Sequence, residues 1–326
     1  MRAVQLTEFG PAHTLRCSEI PDPTAGPGEI VVAVAAASVN RADLLYRSGR
    51  YHAGPPLPAV LGGEGAGTVA GIGPGVTGFE VGDRVVTWGA SGAPGCYAEQ
   101  AAVGADRALA IPPEVELVAA AAVPIAWLSA WYCLRHLIKL GDGETVLITA
   151  AASGVGSAAV QIAQDVGATV IAVVGHDEKA SWVRDLGAHH VLNRTRDDVV
   201  ERVRDLTSGR GAEAALDLTG GETFTACVRA VGHAGRVAAM ANVALAPSTL
   251  DTRDFYPKNA SIHGFQINDL MGHGWDPRPD LTAILNGIAA GRFRVPIEKT
   301  LPLEQAGLAH ELLESGEVRG KIVLTT

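Results

Sequence analysis

A turn with almost no large side chains separates two apolar segments in residues 144–175, ETVLITAAASGVGSAAVQIAQDVGATVIAVVG. Gly154, Gly156 and Ala159 form the pattern G-x-G-x-x-A between an apolar strand, 146–149, and a helix. In such a unit the first glycine permits a tight turn, the second admits a pyrophosphate, and the small third residue lets helix and strand pack closely. The positive end of the helix then faces the phosphates. The segment predicts a dinucleotide site, and a bulky residue at position 156 is expected to block it while leaving the fold mostly intact.

The hydrophobic pattern changes along the chain and divides it into parts. Residues 1–113 are typical of short strands separated by turns rich in glycine and proline. From about residue 123, strands alternate with helices, which indicates βαβ units and a parallel sheet. After about residue 265 a helix and a closing strand depart from this repeat. We predict an α/β protein with a mostly-β domain over 1–122, a dinucleotide-binding domain over 123–264, and a return to the first domain over 265–326.

The charge balance favours a small-molecule partner. The 326 residues include 26 basic and 35 acidic ones, a net charge of -9, without a long run of one sign. This balance argues against binding to nucleic acid or to a membrane surface. No apolar segment has the length and continuity of a membrane span, and the first residues lack the apolar core of a signal peptide. We expect a cytoplasmic protein.

The cysteines support a reducing compartment. Cys17, Cys96, Cys133 and Cys227 lie far apart and form no CxxC pair. This spacing suits buried, reduced thiols better than disulfides or a zinc site.

The end of the strand TVIAVVG bears on the choice between NADPH and NADH. An NAD site usually places an acidic residue there to bind the ribose hydroxyls, whereas a 2′-phosphate requires positive charge. Gly175 and His176 occupy the strand end, Lys179 follows one turn later, and Arg194 lies past the next strand. This arrangement favours NADPH, although either member of the acidic pair 177–178 could bind the ribose instead.

Eight segments, in order over nearly the whole chain, carry a family resemblance. They are PGEIVVAVAAASVNRADLLYRSGRY, LGGEGAGTV, VGDRVV, CYAE, AAVPIAWLSAWYCL, AASGVG, ALDLTGG and GKIVL. Together they resemble the medium-chain dehydrogenase/reductase superfamily, and most of all its zinc-independent NADPH:quinone oxidoreductase-like branch. The resemblance implies a GroES-like catalytic domain built from both ends of the chain, an inserted Rossmann domain with a doubly wound parallel sheet, a cleft between them, NADPH, and commonly a homodimer.

Two departures from the zinc-dependent members bear on the metal. Asn40 stands where those members carry a cysteine, and Gly63 stands where they carry a histidine. Neither residue can ligate zinc, no lobe of four cysteines is present, and Glu64 alone makes no metal site. We therefore predict that the chain holds no metal.

A site without a metal suits hydride transfer to a conjugated acceptor. A quinone or an α,β-unsaturated carbonyl spreads the arriving charge onto its oxygen, so the protein needs to orient the partners and donate hydrogen bonds. Alcohol oxidation would require a metal or a base that is not visible in the sequence. The resemblance implies Asn40 and Tyr51 as catalytic residues at the cleft, although Tyr51 could instead be a packing aromatic. Asp43 is expected to cap the segment after Asn40.

The resemblance also implies which residues hold NADPH. Ser129 is expected near the nicotinamide and Asn242 on the loop beneath it. The expected cofactor contacts are Ser129, Ser153, Gly154, Val155, Gly156, Gly175, His176, Lys179, Arg194, Asn242 and Lys321.

Two other functions stay open at this point. An enoyl-thioester reductase would require a basic patch for a coenzyme phosphate, and the sequence offers only scattered arginines. A scaffold that binds NADPH without turnover is the other alternative. The sequence does not name the physiological acceptor.

Overall fold

The computed structural model describes residues 1–51, 56–89 and 95–326. These residues divide into two compact units. The first consists of Met1–Leu128 and Met271–Thr326, and the second of Ser129–Leu270. The domain limits expected after residues 122 and 264 stay a prediction.

Strands and helices among the described residues have the following bounds. The strands are β1 (Arg2–Leu6), β2 (Leu15–Glu19), β3 (Glu29–Val39), β4 (Ala59–Val60), β5 (Glu64–Ile72), β6 (Arg84–Trp88), β7 (Gln100–Gly104), β8 (Ala108–Ala110), β9 (Thr145–Ile148), β10 (Thr169–Val174), β11 (His190–Asn193), β12 (Ala212–Asp217), β13 (Val231–Ala239), β14 (Ser261–Gly264), β15 (Ile297–Pro302) and β16 (Lys321–Thr325). The α-helices are α1 (Arg41–Arg47), α2 (Leu117–Ala121), α3 (Pro124–Trp131), α4 (Gly154–Asp165), α5 (Ala180–Arg184), α6 (Val199–Leu206), α7 (Glu222–Ala230), α8 (Ile267–Gly272), α9 (Arg278–Ala289) and α10 (Ala306–Ser315).

The first unit is mostly β. Within its described residues, seven strands form a sheet of order β15-β16-β3-β5-β6-β8 in which β7 also pairs with β3, and β2, β1 and β4 form a smaller sheet. The 11-residue strand β3 lies at the centre, antiparallel to β5, β7 and β16. Ile322 of β16 lies opposite Val39 of β3, so a strand from the end of the chain lies beside one near its start. The expected GroES-like, mostly-β architecture is confirmed.

The second unit, which is described throughout, folds around one parallel sheet. Its strand order is β11-β10-β9-β12-β13-β14, and every neighbouring pair is parallel. Counted from β9, this is the order 3-2-1-4-5-6 of doubly wound dinucleotide-binding sheets. β10, TVIAVV, is buried from Val170 to Val174, as expected for a strand covered on both faces. The Rossmann prediction is confirmed.

Each unit has its own apolar core. Leu6, Ile30 and Leu61 are fully buried in the first core, and Leu147 and Ile171 in the second. Burying one such side chain contributes about 1.5–3 kcal/mol. None of the helices among the described residues combines the length and the apolar character that spanning a bilayer requires.

All four cysteines lie among the described residues, and all are free thiols. Cys96, Cys133 and Cys227 are buried, as expected. Cys17 is exposed, so the expectation of burial is wrong for this residue. Its strand, β2, pairs with β1 and contributes mostly solvent-facing residues, which leaves the thiol outside the core.

Gly156 packs against the turn that precedes α4. A Cβ atom at this position would lie 2.3 Å from the carbonyl oxygen of Ala150 and 2.6 Å from the Cα of Ala151. Both contacts are to backbone atoms, which cannot move aside without displacing the turn. The expectation that a bulky residue at position 156 would leave the fold mostly intact is therefore wrong, because this glycine is required for packing.

We predict that Gly156→Ala lowers the free energy of unfolding by about 1–3 kcal/mol, the usual cost of overpacking. Denaturant titration of the apoprotein measures this loss without any cofactor. Gly264→Ala is the matched control in the same unit, since a Cβ there meets no atom within 4 Å. Equal stability of Gly156→Ala and wild type would contradict the packing role.

Candidate active site

The side-chain amide of Asn40 is held on both sides at the end of β3. Lys321 Nζ donates to Asn40 Oδ1 at 2.6 Å, and Asn40 Nδ2 donates to Glu64 Oε1 at 2.7 Å. The sheet explains this meeting, because β16 and β5 flank β3 in antiparallel orientation and begin where β3 ends. Asn40 therefore lies between a cation and an anion from two different strands.

Glu64 and Lys321 form a buried ion pair. Their charged atoms are 3.0 Å apart, and the side chains are 0% and 6% exposed. The other carboxylate oxygen, Glu64 Oε2, accepts from the backbone N–H of Ile125 at 2.6 Å. Removing one member of a buried pair typically costs about 3–5 kcal/mol, since the remaining charge is left uncompensated. Each member of this pair therefore requires the other.

The backbone of Asn40 is fixed by Asp43 in the first turn of α1. The N–H of Asn40 donates to Asp43 Oδ2 at 2.8 Å. This is the contact of an acidic third residue that reaches back to the residue capping its helix. The interpretation of Asp43 as a capping residue agrees with this geometry.

A chain of buried polar groups continues from Asp43 through the core. Tyr97 Oη donates to Asp43 Oδ2 at 3.3 Å and lies 3.2 Å from His310 Nε2. Arg47 Nη1 lies 3.4 Å from His310 Nδ1, and Arg47 Nη2 donates to Glu314 Oε1 at 2.5 Å. Because a guanidinium can only donate, Nδ1 must accept, and the ring proton resides on Nε2 and points to Tyr97. The imidazole is therefore neutral.

Burial shifts the pKa values of this chain. Burial, assisted by the charge of Arg47, lowers the pKa of His310 to about 3. Burial raises the pKa of Asp43 to about 6, although the hydrogen bond from Asn40 and the charge of Lys321 act in the opposite direction. Burial also raises the pKa of Tyr97 well above its usual value. Near neutral pH this row of buried side chains therefore contains a neutral His310 imidazole, a neutral Tyr97 phenol and an ionised Asp43 carboxylate.

Tyr51 is partly exposed and packs against the apolar core of the first unit. This position is compatible with either interpretation given above, a donor to the substrate or a packing aromatic. Its catalytic role stays a prediction.

In the second unit, the start of α4 has the features of a phosphate site. Ser153 caps the helix, and its Oγ accepts from Gly156 N at 3.1 Å. Ser153, Gly154 and Val155 are partly exposed. The first N–H groups of a helix have no acceptor within the helix, so Gly154 and Val155 can offer theirs to an anion. The donors present therefore fit a pyrophosphate.

Arg194 lies over the end of β10. Its guanidinium is 3.5–3.9 Å from the position that a Cβ of Gly175 would occupy, which is the distance of van der Waals contact. Asp177 accepts from Asn193 Nδ2 and from Arg196 Nη1, both at 3.0 Å. Asp177 is thus engaged by its neighbours, while the Arg194 guanidinium lies over Gly175. Lys179 is half-buried one turn beyond, and His176 is exposed.

The two residues expected near the nicotinamide differ in exposure. Ser129 is buried in α3, whereas Asn242 is exposed in the loop after β13. Asn242 Oδ1 accepts from the N–H of Ala246 at 3.4 Å, and a Cβ at Gly220 would lie 2.8 Å from the Asn242 Cα. The loop is therefore packed closely on the segment that follows β12.

The position of Asn40 does not fit a zinc ion. The amide oxygen accepts from the ammonium of Lys321, whose charge opposes a cation. Over residues 1–51, 56–89 and 95–326, no group of three or more His, Cys, Asp or Glu side chains is arranged to hold a metal ion. Independence from zinc stays a prediction.

Comparison with known proteins adds family information. A model of the alcohol dehydrogenase GroES-like domain matches residues 26–113, and a model of the zinc-binding dehydrogenases matches residues 154–280. A quinone oxidoreductase of Pseudomonas aeruginosa is 32% identical over 327 residues, covering 99% of both chains. A 2-haloacrylate reductase of a Burkholderia species is 31% identical over 92% of this chain and 91% of its own length.

Solved structures and longer proteins match as well. The structure of an Escherichia coli quinone oxidoreductase complexed with NADPH superposes with a TM-score of 0.91 at 30% identity, covering 100% of both chains. The phthioceranic/hydroxyphthioceranic acid synthase of Mycobacterium tuberculosis is 32% identical over 98% of this chain. This chain spans only 15% of that protein's length.

A mostly-β unit built from both ends of the chain, with a parallel dinucleotide-binding sheet between them in sequence, agrees with the two dehydrogenase family models that match. The chain belongs to the medium-chain dehydrogenase/reductase superfamily of oxidoreductases, in its quinone-oxidoreductase-like branch.

The partners of Asn40 are not predictable from the sequence. The family resemblance places Lys321 at the cofactor, and no sequence pattern indicates a role for Glu64, Tyr97 or His310. No local pattern marks these contacts, because Lys321 and Asn40 are 281 residues apart. Burial of one lysine and one glutamate at the starts of two strands would have indicated the ion pair. The burial of two single residues cannot be inferred from the sequence.

We predict that acid destabilises the fold through His310. Its pKa is about 3 in the fold and about 6.5 when unfolded, so the unfolded chain gains a proton first as the pH falls. Between pH 6 and pH 4 the wild type should lose up to about 1.4 kcal/mol of unfolding free energy per pH unit more than His310→Gln. Urea titrations at several pH values measure this difference.

His13→Gln is the control, because His13 is exposed in the same unit. It should follow the wild-type slope. Parallel slopes for wild type and His310→Gln would mean that His310 is not held neutral.

Proposed function

We propose that the chain transfers a hydride from NADPH to a quinone or an α,β-unsaturated carbonyl compound, with Asn40 donating a hydrogen bond to the acceptor's oxygen. The observation that carries the proposal is the Asn40 amide, fixed between Lys321 and Glu64 at the end of β3. When bound, NADPH would supply the hydride. The chain would bind the acceptor, orient it and stabilise the charge that develops on its oxygen.

The choice of acceptor rests on what the site offers. Asn40 supplies an amide N–H and no base, which suits an acceptor that is already conjugated and needs no activation of a hydroxyl. Among the relatives, one is a quinone oxidoreductase and another is a 2-haloacrylate reductase, whose name denotes a conjugated double bond. Tyr51 is proposed as a second donor. It lies on the segment that begins at Asn40, four residues after Arg47 at the end of α1.

The second unit supports NADPH as the cofactor. The start of α4 offers N–H donors to the pyrophosphate, and Arg194 lies over Gly175 where the 2′-phosphate is expected. Asp177, the alternative ribose ligand, is engaged by Asn193 and Arg196. The Escherichia coli relative was solved with NADPH. Ser129, His176, Lys179 and Asn242 are kept as further cofactor contacts on the family pattern alone.

An enoyl-thioester reductase is the second candidate. It is favoured by the match of 98% of this chain to a segment of the phthioceranic/hydroxyphthioceranic acid synthase. The chemistry is the same, since a thioester carbonyl also activates a conjugated double bond. Including an enoyl thioester among the acceptors tests both candidates together.

Assembly and location complete the proposal. β14 is the last strand on one side of the second sheet, and Ile262 on it is 38% exposed. An open strand edge with an apolar side chain favours pairing with a second copy, so we propose a homodimer. Four free thiols favour a reducing compartment such as the cytoplasm.

We predict that Asn40→Ala lowers kcat by about a hundredfold on quinones and enones, the usual loss for one oxyanion donor. NADPH affinity should change little. The measurement is NADPH oxidation with a panel of quinones, enones and one enoyl thioester, together with a fluorescence titration of NADPH. Asn286→Ala removes an exposed amide from α9 of the same unit and should have no effect.

Tyr51→Phe should also slow turnover if its hydroxyl donates. Full activity of both Asn40→Ala and Tyr51→Phe would place the donors elsewhere. A wild type that binds NADPH but reduces none of the acceptors would favour a scaffold.

We predict that Arg194→Ala weakens NADPH binding by about tenfold to a hundredfold, the range for a charge-assisted phosphate contact, and leaves NADH binding unchanged. Lys179→Ala should act in the same direction. Arg210→Ala is the control, because Arg210 is exposed before the start of β12, at the opposite end of the parallel sheet. Equal losses for both cofactors in Arg194→Ala would point to a role other than binding the 2′-phosphate.

A further inference from the structure

The hydrogen-bond chemistry around Asn40 allows one amide orientation. A lysine ammonium can only donate and an ionised carboxylate can only accept. Lys321 must therefore face the amide oxygen, and Glu64 must face the amide nitrogen. These are the contacts present, at 2.6 Å and 2.7 Å. A flipped amide would set a donor against a donor and an acceptor against an acceptor.

This orientation leaves a defined donor. The Asn40 nitrogen carries two hydrogens, and Glu64 takes one of them. The second hydrogen points away from Glu64 in the amide plane. Hydrogen bonds in a chain polarise one another, so donation by Lys321 to the oxygen strengthens donation from the nitrogen. The ammonium therefore orients the amide and also makes it a better donor.

The rest of the site holds this arrangement rigid. Glu64 Oε2 is tied to the backbone N–H of Ile125, and the backbone N–H of Asn40 is tied to Asp43. The ammonium of Lys321 is almost completely buried and spends two of its hydrogens on Asn40 and Glu64. A buried cation with two short contacts to the proposed catalytic group and its partner is better suited to hold that group than to reach a mobile ligand.

We propose that Lys321 is a positioning residue, which with Glu64 locks the Asn40 amide so that its second N–H faces the acceptor's oxygen. The proposal rests on the proposed function for its catalytic consequence. It replaces the expected role of Lys321 as a cofactor contact. The two roles give opposite results, because a cofactor contact controls NADPH affinity and a positioning residue controls turnover.

The variant Lys321→Met removes the charge and the donors while keeping an unbranched side chain. Because it leaves Glu64 as an uncompensated buried charge, it is paired with the double variant Lys321→Met/Glu64→Gln, which leaves no charge behind. Lys299→Met is the control, since Lys299 is exposed and lies opposite Ile322 on the neighbouring strand. Thermal unfolding of each variant reports whether it folds.

The first readout is the side-chain amide of Asn40 itself. Its NMR cross-peaks are identified by their loss in Asn40→Ala and require neither substrate nor cofactor. In the wild type they should be shifted and protected from solvent exchange, whereas in the double variant they should approach those of the exposed Asn286. Cross-peaks that stay unchanged in the double variant would overturn the positioning role.

The second readout separates turnover from cofactor binding. The double variant should lower kcat by about tenfold or more, while the NADPH Kd stays within about twofold. In an Asn40→Ala background the same two substitutions should cost less than about threefold, since residues that act as a unit are not additive. A large rise in NADPH Kd with kcat retained would show Lys321 to be a cofactor contact. If the wild type reduces no acceptor, the proposed function fails, and the NMR result alone decides whether Lys321 holds Asn40.

Discussion

The buried ion pair between Lys321 and Glu64 is the interaction on which the polar site of the first unit depends. Both charges are removed from water, so each must find its full set of partners inside the protein. They do so through Asn40 and the backbone of Ile125. Because these groups lie at the ends of β3, β5 and β16, the contacts also link the ends of three neighbouring strands. The fold and the proposed donor are therefore stabilised by the same contacts.

A second set of buried polar groups supports this arrangement at a cost. The fold shifts the pKa of Asp43 up to about 6 and the pKa of His310 down to about 3, away from their values in the unfolded chain. An apolar core of the same size would be simpler to stabilise. What the polar chain provides is a fixed backbone at Asn40, since Asp43 binds its N–H and Tyr97 binds Asp43. These buried polar groups therefore stabilise the fold less than apolar side chains would, and they fix the position of Asn40.

The second unit achieves its site by the opposite means, through small residues instead of charges. The start of α4 approaches the preceding turn so closely that Gly156 has no room for a methyl group. This close approach brings the helix N–H groups to the carboxyl ends of the parallel strands, where phosphates bind. A cation lies at the edge of this region, where Arg194 lies over Gly175. The preference between NADPH and NADH can thus change at that edge without any change at the start of α4.

These two designs explain how far the sequence alone could be interpreted. The glycine turn and the βαβ rhythm depend on local patterns within about 30 residues, and they were predictable from those patterns. The doubly wound sheet was expected from the family resemblance. Asn40 meets its partners through antiparallel pairing of β3 with β5 and β16, and Lys321 lies 281 residues from Asn40, a separation that no local pattern encodes. The same limit explains the error at Gly156, whose packing partner was invisible although its sequence motif was plain. Local motifs identify the group that is bound, whereas the residues that hold a catalytic side chain in place are defined only by the folded sheet.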